Sequence, residues 1–221
     1  YCNLFYHMAK SVDIRVEIVG GMTKDYNGYT SDEHVWIFAY TKKDHGILLD
    51  PTWGAGSVDG NVFTRSDDYW IWFDVSPEWM ILTHFPVDNL YQLLDVPISR
   101  SKFLSLPPVS SLWISYGMNA NDIYDMVMRG ELSLPTFYAD GEGKFQFIEF
   151  PLQESLKIGR FYTIRVKMLT DHNIGIANNN TVLYKKDDWH HEGDGIYNIE
   201  FMPRETGGIS FCIHDHDDVW S

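Results

Sequence analysis

The chain has 221 residues, 44% hydrophobic and 15% aromatic, enough for one large or two modest globular domains with dense cores. Its 31 acidic against 17 basic residues give a net charge of −14. Such a surface repels phosphate backbones and anionic lipid, which excludes nucleic acid as an expected partner. No apolar run approaches the length of a membrane span, so no membrane insertion is expected.

The chain opens on Tyr1-Cys2 with no initiator methionine and no signal peptide, the pattern expected of a fragment or a processed product. Leu4, Phe5, Met8, Ala9 and Val12 form the stripe of a helix with one buried face. Cys2 falls at its first turn, where unpaired N–H groups and the helix dipole favour a thiolate and a lowered thiol pKa. On placement alone, Cys2 reads more readily as a small apolar core residue. Cys212 is the second cysteine, and the two make neither a disulfide framework nor a CxxC motif, which leaves the redox compartment open.

Ile14–Gly21 alternates apolar and charged residues and predicts a strand, and Thr23–Ser31 a polar loop. A hairpin follows. His34, Trp36 and Phe38 lie on one side of its first strand, and Val35, Ile37 and Ala39 on the other. Its turn is Lys43-Asp44-His45-Gly46, and its second strand, Ile47–Asp50, is stopped by Pro51. Ser57–Asp68 reads as a surface loop, Tyr69–Phe73 as a buried strand, and Ser76-Pro77 as a capped helix start. Ser99–Leu104 reads as a capped helical turn among the prolines Pro86, Pro97, Pro107 and Pro108.

The double proline marks the expected boundary between a domain of residues 1–108 and one of residues 109–221. Beyond it come a helix over Asn121–Arg129 and six strand-sized runs: Phe145–Phe150, Phe161–Leu169, Asn173–Ala177, Thr181–Tyr184, Ile196–Met202 and Gly208–Ile213. Turn formers such as Ala139-Asp140-Gly141 and Asn178-Asn179-Asn180 separate them, the texture of an antiparallel β-sandwich.

The hairpin sets His34 beside Asp50, the orienting half of a nucleophile–base–orienter site. No phosphate-binding glycine loop and no GxSxG elbow is present. His84, in Leu82-Thr83-His84-Phe85-Pro86, reads either as a member of the site or as a structural histidine. The runs Asp187–Glu192 and His214–Asp218 concentrate imidazoles and carboxylates without a metal-binding spacing, and read as solvated loops and chain ends. No metal and no cofactor are expected. The remaining chemistry is thiol acyl transfer by Cys2, with His34 as base and Asp50 as orienter.

Cys2-Asn3-Leu4-Phe5, Val19-Gly20-Gly21, His34-Val35-Trp36 and Leu49-Asp50-Pro51-Thr52-Trp53-Gly54 together resemble the core of the transglutaminase-like superfamily. Phe73–Glu78, Thr83–Pro86 and Tyr91–Leu94 resemble the segment that follows this core in kyphoscoliosis-peptidase-type members. The resemblance implies an α+β, papain-like transglutaminase core followed by an antiparallel, Ig-like β-sandwich. It implies a catalytic triad of Cys2, His34 and Asp50, with Trp36, Trp53 and His84 in supporting or substrate-binding roles. It further implies a thioester intermediate formed from peptide or glutamine amides of a protein or peptide substrate. With water as acceptor the enzyme is a peptidase or amidase, the favoured expectation; with an amine it is a crosslinking transglutaminase. A non-catalytic interaction or scaffold protein retaining the fold is the alternative. The second domain is expected either to bind a protein or polysaccharide partner or to buttress the core. Two departures stand out: the family's residues upstream of the cysteine lie outside this sequence, and Ile37 follows His-x-Trp where many relatives carry Asn.

Overall fold

The computed structural model describes the chain except residues 43–44, 67–68, 131–140, 142, 154, 180 and 215–221. Lys43-Asp44 of the expected turn, Ala139-Asp140, Asn180 and the Asp215–Asp218 part of the second histidine cluster therefore lie outside the described residues. The chain forms two compact units. The first takes in the residues up to Ser111 together with a helix that returns to it after residue 119. The second takes in residues 112–119 and the strands from Phe145 onward.

The first unit begins with α1 (Cys2–Ser11) and then β1 (Val16–Lys24), β2 (Thr30–Lys42) and β3 (His45–Leu49). β4 (Gly56–Asp59) and β5 (Val62–Arg65) form a separate hairpin. They are followed by β6 (Phe73–Val75), α2 (Pro77–Thr83), β7 (His84–Pro86) and α3 (Arg100–Ser105). The main sheet is antiparallel, in the order β6-β3-β2-β1-β7. Its centre is β2, where Trp36, Ile37, Phe38 and Ala39 are all buried, so both faces of the strand are covered. Ile37 and Ala39 pack with Val16 and Leu49 against Cys2 and Ala9 of α1.

Local chemistry explains the helices. Ser76 Oγ accepts from Trp79 N at 3.2 Å with Pro77 in the first position of α2, and Ser99 Oγ accepts from Lys102 N at 3.2 Å to start α3. The buried ammonium of Lys24 donates to the carbonyls of Phe103 (2.6 Å) and Leu106 (2.8 Å), which closes the far end of α3.

In the second unit, α4 (Leu112–Ser115) precedes the strands, whereas α5 (Ala120–Met128) packs on α2 of the first unit. The strands are β8 (Phe145–Glu149), β9 (Tyr162–Met168), β10 (Asn173–Asn178), β11 (Thr181–Lys185), β12 (His190–Gly193), β13 (Ile196–Phe201) and β14 (Ile209–His214). They make two antiparallel sheets, β12-β13-β9-β8 and β11-β10-β14. Phe145 and Phe147 of the first meet Phe211 of the second, with ring centroids 5.0 and 5.2 Å apart.

The expected α+β arrangement, a papain-like transglutaminase core followed by a β-sandwich, is overturned. Among the described residues antiparallel sheet dominates both units, and of the five helices only α1 and α5 exceed seven residues. Several segments account for the difference. β1 runs past its glycines to Lys24, and β2 reaches back to Thr30, so both ends of the expected loop are sheet and only residues 25–29 remain a turn. The polar stretch read as a surface loop contains the β4–β5 hairpin. Tyr69–Trp72 forms a 3-10 turn rather than a strand, with Trp72 buried and Trp70 exposed. α1 also turns a different stripe inward: Cys2 and Ala9 are buried with Phe5 and Tyr6 beside them, while Leu4, Met8 and Val12 are exposed.

Gly20 and Gly21 test this packing. A Cβ at Gly21 would meet backbone of β7, with Pro86 Cα at 2.9 Å, and the Trp36 ring at 2.6 Å; one at Gly20 meets nothing within 4 Å. Gly21→Ala is expected to destabilise the protein by about 1–3 kcal/mol in urea unfolding, and Gly20→Ala by less than about 0.5 kcal/mol. Equal tolerance of both substitutions would contradict the close approach of β1 and β7.

Candidate active site

β3 pairs with β2 through Ile37↔Leu49, and Asp50 stands one residue past this pair. Its backbone is fixed by Asp50 N donating to Trp72 O at 2.9 Å and Gly54 N donating to Asp50 O at 3.0 Å. The side chain is fully buried. Oδ1 accepts from Thr52 N (2.7 Å) and Trp53 N (3.1 Å), a local turn set by the Asp-Pro-Thr-Trp sequence. Oδ2 accepts from two imidazoles, His34 Nε2 at 2.7 Å and His84 Nε2 at 3.1 Å. Burial alone would raise the Asp50 pKa, but the hydrogen bonds of the two histidines, joined by their charge in acid where the rings are protonated, outweigh it and hold the carboxyl well below the usual carboxylate range.

His84 begins β7, which pairs with β1 through Thr23↔His84 and Gly21↔Pro86. The register of β1 against β2 shifts between Gly21 and Thr23, so an irregularity in the sheet lies beside the two histidines. His84 is completely buried, and burial pushes its pKa down, which keeps the ring neutral. With Nε2–H donating to Asp50, its Nδ1 accepts from Thr83 Oγ1 at 2.8 Å. Aromatic rings enclose the pair: Trp36, Trp53 and Trp72 lie 5.0, 4.6 and 5.4 Å from His84, and Trp36 and Trp53 lie 6.3 and 5.9 Å from His34. His34 is the open member, with 17% of its side chain exposed. Among the described residues no hydrogen bond engages its Nδ1.

Cys2 is the first residue of α1 and is 4% exposed. Alternation along β2 puts His34 with Trp36 and Phe38, whereas Cys2 packs in the cluster of Ile37, Ala39 and Leu49. The thiol reaches the strand one residue from His34 and donates to Val35 O at 3.1 Å. Among the described residues no hydrogen bond joins it to the imidazole. Burial, and secondarily the negative charge of Asp50, raise the thiol pKa, and a hydrogen bond with the Thr52 side chain opposes them only in part. The expected thiolate at the helix start is therefore corrected: the resting group is a protonated thiol.

The structure thus gathers His34, Asp50, His84, Trp36 and Trp53 around one carboxylate and brings Cys2 to the neighbouring backbone. Sequence reasoning missed Thr52, Thr83 and Trp72. Thr52 and Thr83 adjoin residues already singled out, and Trp72 was hidden in a run read as a strand. Among the described residues the Asp187–Glu192 run forms no group that could hold a metal. His191 stacks on Tyr197 with centroids 4.6 Å apart, and Glu192 accepts from Arg165 at 2.6 and 2.9 Å. Both cysteines are free thiols.

No protein-family model matches the chain. The LIM and transglutaminase domain protein ltd-1 of Caenorhabditis elegans is similar to it, with 26% identity over 144 residues that cover 55% of this chain and 19% of that protein. The chain therefore spans about a fifth of the relative's length. This distant similarity points to a transglutaminase-like domain.

Two measurements follow from the charges. Asp50 has a folded-state pKa below its ordinary value of 3.8, so its stabilising contribution is complete above that pH and is lost as pH falls toward the folded value. The Tm advantage of wild type over Asp50→Asn is expected to be constant from neutral pH down to roughly pH 5, then to shrink below about pH 4. A difference that does not vary with pH would refute the depressed pKa. In a Cys212→Ser background, the iodoacetamide rate at Cys2 is expected to rise with pH with a midpoint above the ordinary thiol value of 9.0. A midpoint near neutrality would restore the preformed thiolate.

Proposed function

We propose that the first unit is a thiol-dependent acyl-transfer domain of the transglutaminase-like kind, with Cys2 as nucleophile, His34 as general base and Asp50 as orienter. One observation carries the reading: the His34 Nε2–Asp50 Oδ2 bond of 2.7 Å commits one ring nitrogen to a buried carboxylate and frees the other as an acceptor. In this reading the Cys2 thiol leaves Val35 O and gives its proton to His34 Nδ1 as sulfur attacks an amide carbon. Unpaired N–H groups in the first turn of α1 hold the oxyanion. The imidazolium returns the proton to the departing amine, leaving a thioester. Water or an amine then attacks the thioester, with His34 again as base.

The favoured activity is that of a peptidase or amidase, with water as acceptor and a protein or peptide as substrate; an amine acceptor makes the same chemistry a crosslinking one. The segments Phe73–Glu78, Thr83–Pro86 and Tyr91–Leu94 support placement near the kyphoscoliosis-peptidase type. Trp36 and Trp53 serve as walls that exclude water from the histidines. A second reading, a non-catalytic interaction domain, is favoured by the buried, protonated thiol turned toward Val35 O.

An activity profile over peptide and glutamine-donor amides, with and without a primary amine, separates them. Wild type is expected to release ammonia or amine, and Cys2→Ala to lose the rate by a factor on the order of 10⁴. Equal rates in the two proteins would leave the scaffold reading in possession.

A further inference from the structure

The three-residue mechanism leaves His84 without a chemical task, yet its Nε2 meets the same carboxylate oxygen as His34 Nε2, at 3.1 against 2.7 Å. One ligand atom from each of His34, Asp50 and His84 lies within 4.8 Å of the others. Two imidazole nitrogens and a carboxylate oxygen are the donor set that suits Zn²⁺ and related first-row divalent cations. We propose that this triangle binds a divalent transition-metal ion such as Zn²⁺ through the two Nε2 atoms and Asp50 Oδ2, and that the bound ion turns off the thiol chemistry. The second half rests on the acyl-transfer reading; the first does not.

The fit is close. Tetrahedral zinc with bonds of about 2.0–2.2 Å holds its ligand atoms roughly 3.3 Å apart. From the observed 2.7 and 3.1 Å, the two N···O separations need to open by roughly 0.6 and 0.2 Å to reach that spacing. Outer partners that orient such ligands are already present. Asp50 Oδ1 is held by two backbone N–H groups, and His84 Nδ1 by Thr83 Oγ1. The ion enters past His34, the partly exposed member, while Asp50 and His84 are covered. A fourth position toward that opening is left for water.

Binding displaces the proton that each ring holds on Nε2. An imidazole that donates to Asp50 carries a proton on Nε2; metal on Nε2 takes that position and leaves the ring's proton on Nδ1. Thr83 accommodates the change at His84. Its hydroxyl also stands 3.3 Å from Met80 O, so it can accept from His84 Nδ1–H and turn its own hydrogen to that carbonyl. At His34 the same tautomer places a proton on Nδ1, where the Cys2 proton would have to go. The metal-loaded site therefore has no base, and the thiol stays protonated.

Chelator-treated protein titrated with Zn²⁺ by calorimetry, and with Co²⁺ by visible absorption, tests the site without any catalytic readout. The expected result is one equivalent bound, with a tetrahedral Co²⁺ spectrum, retained in Cys2→Ala and weakened at least about tenfold in His34→Gln and in His84→Gln. His34→Gln carries the test if His84→Gln fails to fold, because that side chain borders solvent; an unchanged circular dichroism spectrum verifies it. No binding, or binding unchanged in His34→Gln and removed by replacing His190 and His191, overturns the inference and leaves only an adventitious ion. Zn²⁺ is further expected to abolish amide turnover reversibly, restored by chelator. An active enzyme that binds Zn²⁺ in the triangle yet turns over unchanged overturns the regulatory half. Metal binding in a protein with no thiol-dependent turnover supports the site and refutes the acyl-transfer reading instead.

Discussion

A carboxylate with no solvent exposure is the constraint on which the first unit depends. Leaving such a charge unpaired in a protein interior costs several kcal/mol, so every lone pair of Asp50 must find a donor. It accepts four hydrogen bonds, two from backbone N–H groups within its own turn and two from imidazoles carried by other strands. The two local bonds need nothing beyond the sequence Asp-Pro-Thr-Trp. The two remote ones need β2 and β7 in a particular register. Sheet order, the irregularity in β1 and the surrounding indoles can all be understood as the means of delivering two histidines to one oxygen in a dry place.

Delivery from two strands has a further effect on the sheet. β7 can lie against β1 only because Gly21 has no side chain where the two backbones and the Trp36 ring converge. The glycine is thus a packing requirement, not a strand terminator. On the opposite face of β2, α1 contributes small and aromatic side chains to a cluster around Ile37 and Ala39. The helix presents its cysteine to the strand at Val35, beside the histidine and not facing it.

These relations explain which parts were legible in the amino-acid sequence. His34, Asp50 and their aromatic neighbours could be read because hairpin alternation and a proline stop are local signals. The caps at Ser76 and Ser99 could be read for the same reason. All six strand-sized runs of the second unit form strands, and β12 was missed because its polar sequence, His190–Gly193, carries no apolar alternation. The role of His84 could not be read, because its partner lies 34 residues away and the register of β7 is fixed by tertiary packing. The buried stripe of α1 was misread for a related reason. Leu4, Met8 and Val12 satisfy helical periodicity as well as Cys2, Phe5 and Ala9 do, and periodicity alone does not say which stripe meets the sheet. The α+β expectation failed because strand extension at Met22–Lys24 and Thr30–Asp32 is decided by pairing, not by composition.

The thiol marks where residue identity stops determining chemistry. A cysteine, a histidine and an aspartate on neighbouring elements are common to an enzyme and to a scaffold descended from one. What separates them is whether sulfur can exchange Val35 O for the free nitrogen of His34. An S–H···O contact is worth at most about 1 kcal/mol, so breaking it is no barrier in itself. The greater resistance is electrostatic, because burial and the Asp50 charge both oppose a free thiolate. A path that forms the thiolate first is therefore disfavoured. A path that transfers the proton to His34 while sulfur bonds to carbon is not, since negative charge then develops on the amide oxygen and positive charge on an imidazole already hydrogen-bonded to a carboxylate. The same carboxylate that discourages the thiolate stabilises the imidazolium. Under the acyl-transfer reading proposed above, the site would therefore favour general-base attack over a resting ion pair, with reactivity that depends on a carbonyl carbon being in position when the thiol turns.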